Sequence, residues 1–123
     1  MNYTIKLEGE TVVLTCVKEF DFTDGIDVLT KIKNKQKYSS ATGLLILDPG
    51  SLMNPNMEET RKISTLFTSL LESPFQGIAL VVSKMVHFGI GRMTEALADP
   101  VNGRFKVFRS EQAAREWLSD ITV

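Results

Sequence analysis

The chain predicts an α/β domain built on a mostly parallel sheet, and three observations carry that prediction. Segments of strand period and segments of helix period alternate along its length. Two apolar runs, Leu44-Leu45-Ile46-Leu47 and Ile78-Ala79-Leu80-Val81-Val82, continue without a polar break. An unbroken run of this length marks a strand covered on both faces, as parallel strands are. Glycine, proline, asparagine or aspartate punctuates the ends of these segments, at Asp48-Pro49-Gly50, Ser73-Pro74, Asp99-Pro100 and Asn102-Gly103.

Each element follows in order. Tyr3, Ile5 and Leu7 alternate with Thr4, Lys6 and Glu8, the period of a half-buried strand. Glu8-Gly9-Glu10 turns the chain into a second strand, Thr11 to Val17, so the two form a hairpin. Thr23 or Asp21 caps a helix from Asp24 to Gln36, with Ile26, Leu29 and Ile32 on its inner stripe. After the strand that Gly43 opens, Ile63, Leu66, Phe67, Leu70 and Leu71 recur at helical spacing. Asn54-Pro55-Asn56 introduces that helix, and Glu58 and Glu59 complement its dipole. Ile78 to Val82 is the next strand. Val86, Ile90, Met93 and Leu97 then mark one face of a helix ending at Asp99-Pro100. Phe105 to Phe108 is the last strand, and Ser110 caps a final helix with Ala114, Trp117, Leu118 and Ile121 inward. The order β-β-α-β-α-β-α-β-α requires parallel neighbours joined by right-handed crossovers. It reads as one domain over residues 1–123.

Composition excludes several classes. Fourteen basic against fifteen acidic side chains leave a formal charge of -1, so no field attracts nucleic acid or anionic lipid. No apolar run approaches the ~20 residues of a membrane span. The start, Met-Asn-Tyr-Thr-Ile-Lys, lacks the basic and apolar segments of a secretory signal. The single Cys16 has no disulfide partner and lies among Val13, Leu14 and Val17, so a buried thiol in the reducing cytoplasm is expected.

Two strand-to-helix junctions are the candidate sites. The first runs from Ser83 through His87, Phe88 and Gly89 to Arg92, where free amides at a helix start receive anions. Gly89 and Gly91 are costly inside a helix, so close approach of the sheet or of a ligand should compensate. Arg92 is read as a surface ion pair with Glu95 at i+3. One His, one Cys and scattered carboxylates supply no metal site within a single chain, and no nucleophile accompanies His87. The second junction, Asp48 to Asn56, holds Asp48, Ser51, Met53 and Asn54 in a loop of the kind that carries function. Met53, Met57, Met85 and Met93, with Phe75 and Phe88, suit an apolar pocket, a partner surface or ordinary core.

The run Phe88-Gly89-x-x-Arg92-Met93-x-Glu95-Ala96-Leu97, followed by Val107-Phe108-Arg109-x-Glu111-x-Ala113-x-x-Trp117-Leu118, resembles the SpoIIAA-like proteins. These are small bacterial domains grouped with STAS anti-sigma-factor antagonists and CRAL–TRIO lipid-binding folds. The resemblance implies a right-handed β-α superhelix: a mixed five-stranded sheet, its first strand antiparallel, with about four helices. It also implies a regulator that acts by binding protein partners, without enzymatic activity or cofactor. The antagonists' phosphorylated serine lies in an Asp-Ser-Ser/Thr-Gly segment, whereas the matching place here reads Pro49-Gly-Ser-Leu-Met-Asn-Pro-Asn56, so that role is not carried over to Ser51. The expectation is therefore an interaction domain using the loop and helix after Asp48. The alternative is a carrier or sensor of a small apolar or amphipathic ligand held between helices and sheet. A homodimer stays open, because the first hairpin leaves an edge strand.

Overall fold

Gly9, at φ +62°, makes the turn between the strands Tyr3–Glu8 (β1) and Thr11–Cys16 (β2), a backbone conformation that side chains with a Cβ resist. The two strands pair antiparallel from Tyr3 opposite Cys16 to Glu8 opposite Thr11. The computed structural model describes residues 2–17, 19–48, 56–99 and 103–122. Gly43–Leu47 (β3) adds parallel to β2, Gly77–Val81 (β4) to β3, and Phe105–Phe108 (β5) to β4. The sheet order is β1-β2-β3-β4-β5, so the chain steps across it in one direction without reversing. The mixed five-stranded sheet and its α/β class are those expected.

The helices are Phe22–Asn34 (α1), Met57–Glu72 (α2), Met85–Ala98 (α3) and Glu111–Ile121 (α4). α1 starts two residues before its expected position because Asp21 and Asp24 close a capping box, each carboxylate accepting from the other's amide at 2.9 and 3.2 Å. Asn56 and Glu59 do the same for α2.

Alternation along the strands divides the core in two. Val12, Leu14, Leu44, Ile46, Ile78, Leu80, Phe105 and Val107 face α1, α2 and α3. Val13, Leu45, Ala79 and Val81 face Ala114, Trp117 and Leu118 of α4. The three crossover helices thus share one face, as crossovers of one hand must when strands are added in one direction, and right-twisted strands select the right hand. α4 closes the opposite face. It fits there because Gly77 opposes Ile121, where an added Cβ would collide with the isoleucine side chain.

The apolar face of α3 divides in the structure. Met93 and Leu97 of α3 are 41% and 45% exposed, whereas Gly91, Thr94 and Ala98 turn inward. α3 lies so close to β5 that a Cβ on Gly91 would stand 2.6 Å from Val107 Cγ2. Small residues therefore form the fully buried side, with Phe88 and the expected Ile90 packed partly buried against the core beside them, while Met93 and Leu97 are displaced outward. Gly89, by contrast, has nothing within 4 Å of a notional Cβ.

The two glycines should consequently respond to alanine with opposite signs. At Gly91, crowding against the stiff, buried Val107 costs about 1–3 kcal/mol and outweighs a helix-propensity gain of about 1 kcal/mol. At Gly89 only the gain remains. Urea denaturation should show Gly91→Ala destabilised and Gly89→Ala stabilised by up to ~1 kcal/mol; equal shifts would contradict this account of α3.

Candidate functional site at the carboxyl rim of the sheet

Because β2 to β5 are parallel, their carboxyl ends lie along one edge, to which α2, α3 and α4 return with their amino ends. Asp48 follows β3 directly and takes φ +47°, a left-handed conformation that aspartate tolerates better than most residues. Its amide donates to the Val81 carbonyl at 2.8 Å, and its carboxylate accepts from the Ser83 amide at 2.9 Å. Asp48 therefore fastens the end of β3 to the junction of β4 and α3. The Ser83 carbonyl in turn accepts from Arg109 Nη2 at 3.0 Å, and Arg109 Nη1 lies 2.9 Å from Met85 Sδ. A continuous chain of contacts, Asp48 to Ser83 to Arg109 to Met85, crosses three strand ends. All four residues are exposed.

The sequence candidates divide accordingly. Asp48 and Ser83 meet. His87 occupies the first turn of α3 and is half-buried, and Phe88 is partly buried against the core below it. Gly89 faces outward into open space. Arg92 lies about 10 Å up the helix from Met85, where its Nε approaches Glu95 Oε1 at 3.9 Å, the expected i+3 pair in a loose form. Glu95 also accepts from the Val107 amide at 3.1 Å, which binds α3 to β5. Ser51, Met53 and Asn54 lie outside the described residues. Arg109 belongs to the run that carries the family resemblance but is not among the candidate site residues of the sequence. Its signal was positional, since it follows β5 as Asp48 follows β3.

Apolar groups frame this polar chain. Met57 opens α2 at 53% exposure and Met85 opens α3 at 70%, while Phe75 is core at the other end of the sheet. The interior beneath contains a void of about 20 Å³, between Leu14, Phe20, Ile46, Thr60, Phe67 and Thr94. That volume admits one water molecule and no apolar ligand. Cys16, at the carboxyl end of β2, has its thiol pushed up to about 12, first by burial and then by the Asp48 and Asp24 carboxylates. Among the described residues no three His, Cys, Asp or Glu side chains converge to hold a metal ion, and no helix is long and apolar enough to cross a membrane.

No protein-family model matches the chain, and no curated protein or solved structure matches it either.

Two outcomes follow from this geometry. Asp48→Ala removes the acceptor for the Ser83 amide and retains the positive φ, so chemical denaturation should show a loss of about 1–2 kcal/mol. Asp48→Asn keeps both an acceptor and a side chain suited to that φ, and should lose far less. For Cys16, the native thiol holds its proton above the pH at which the unfolded thiol releases it. Its contribution is complete below pH 9 and falls as pH rises from 9 toward 12, with a slope of about 1.4 kcal/mol per pH unit. The wild type should therefore lose stability between pH 9 and 10.5 faster than Cys16→Ala; parallel curves would refute the burial assignment.

Proposed function

We propose that this domain is a non-enzymatic regulatory module of the SpoIIAA-like, STAS type that docks a protein partner on the carboxyl rim of its sheet. The observation that carries the reading is the pairing of exposed Met57 and Met85 with the ordered polar chain Asp48, Ser83 and Arg109. Exposed methionines adapt their shape to a partner, and ordered polar groups beside them set its orientation.

Two further features favour a partner over a carried ligand. Open α/β sheets hold small molecules in the crevice where strand order reverses. Here β2 to β5 run in chain order, so the parallel strands have no reversal and open no such crevice. The interior void of about 20 Å³ is also far below the few hundred Å³ that a ligand pocket occupies. The five-stranded architecture agrees with the one the family resemblance implies, and the same reading includes a cytoplasmic bacterial setting, supported by a lone, buried thiol.

A photo-crosslinking side chain introduced at Met85 should capture a discrete protein from the native cell extract. The same group at Gln112, exposed on the outer side of α4, should capture none. Equal adducts at both positions, or none at Met85, would refute docking at the rim.

A further inference from the structure

We infer that the groove between α2 and α3 is a surface site for a short aliphatic monocarboxylate. Arg61, Ser64, Thr65 and Thr68 of α2 and Leu97 of α3 line it, around about 330 Å³ of open space. That volume lies at the lower end of the range that small-molecule sites occupy.

Ser64 is the observation that points to a ligand. It is 4% exposed, and its hydroxyl has no hydrogen-bond partner among the described residues. The threonines of the same helix all bond back one turn. Thr60 donates to the Asn56 carbonyl at 2.9 Å, Thr65 to that of Arg61 at 2.9 Å and Thr68 to that of Ser64 at 3.0 Å. A helical serine has the same option at its i−4 carbonyl, here that of Thr60. Ser64 does not take it. A buried hydroxyl without a partner is costly, and an acceptor supplied from the groove removes that cost.

Charge and shape define the ligand. Glu58 is engaged by Lys62 at 3.5 Å, and Arg61 forms no ion pair among the described residues. Its planar guanidinium suits a carboxylate, which accepts two donors side by side and keeps lone pairs for the Ser64 hydroxyl. One arginine balances one negative charge, which favours a carboxylate over a phosphate dianion. Leu97, 45% exposed, gives the groove an apolar wall. Met93, 41% exposed, continues that wall one turn earlier on the same side of α3. A tail of about five carbons spans the ~5.4 Å turn between them. The two large apolar side chains that α3 displaces outward thereby acquire a role.

The serine oxygen is covered, and the exposed Arg61 and Leu97 side chains that share the groove with it turn aside as a ligand enters. The groove is open along its length, so the ligand exchanges with solvent and is not carried inside the protein. A small ligand held on one side only belongs at a dissociation constant on the order of 1 mM. The site is separate from the rim, since Ser64 lies about 10 Å along α2 from Met57.

Titration of the full chain with hexanoate, followed by backbone amide chemical shifts, tests this. Saturable shifts should centre on Arg61, Ser64, Thr65 and Leu97. Acetate and hexanol, which each lack one half of the ligand, should bind about tenfold more weakly. Arg61→Gln, at an exposed position, should weaken hexanoate by about fivefold or more. Ser64→Ala should weaken it as well, yet melt about 2 °C higher than wild type, because it removes an unpartnered hydroxyl and improves helix propensity. Any of four results overturns the inference: no saturable shift with hexanoate, equal binding of acetate, unchanged binding by either variant, or a Ser64→Ala protein less stable than wild type. Hexanoate binding and the Met85 crosslink are independent readouts, so failure of one leaves the other interpretable.

Discussion

Four parallel strands added in one direction impose a hard constraint: the crossover helices must all fall on the same side of the sheet. The other side would then expose Val13, Leu45, Ala79 and Val81 to water. α4 resolves this by folding back after β5 beneath the sheet, with Ala114 and Leu118 buried and Trp117 against Phe108 at 5.5 Å between ring centroids. The fit is steric as much as hydrophobic. Gly43 and Gly77 form a pair of side-chain-free positions across β3 and β4, directly under Leu118 and Ile121. A Cβ at Gly77 would collide with the Ile121 side chain, whereas at Gly43 it would make ordinary contact with Leu118.

The same constraint shapes the rim. Doubly wound sheets acquire a crevice at the point where their strand order turns back, and a monotonic order forgoes it. What the edge presents is a surface: a polar chain from Asp48 to Arg109, with methionines at the starts of α2 and α3. Cross-strand bonds make the polar part rigid. The methionines leave the apolar part adaptable.

Much of this was legible in the residues, and the exceptions have a common cause. Period and punctuation located all nine principal elements, because Leu44–Leu47 and Ile78–Val82 can only be doubly covered strands and Ile63 to Leu71 can only be a helix stripe. The apolar face of α3 divides: Ile90 packs against the core, and Met93 and Leu97 are exposed. The usual rule sends large apolar residues inward, and it fails where a helix lies against a strand at the distance Gly91 allows. There Gly91, Thr94 and Ala98 face the core while Met93 and Leu97 do not. The two helical glycines looked equivalent in the sequence, yet one meets Val107 and the other meets solvent. Arg109 is legible as a motif residue but not as a rim residue, because its part in the rim exists only when three strand ends are brought into line.

The amino-acid sequence alone determined the α/β class, the alternation of elements and the doubly covered strands, since each depends on local periodicity and on turn chemistry within a few residues. Only the tertiary structure decided which face of α3 is bare, which glycine is crowded, and that Asp48, Ser83 and Arg109 form one connected edge. Those outcomes depend on distances between segments from 16 positions apart, as for Gly91 and Val107, to 35, as for Asp48 and Ser83, set by sheet register and helix approach. No local pattern encodes such distances.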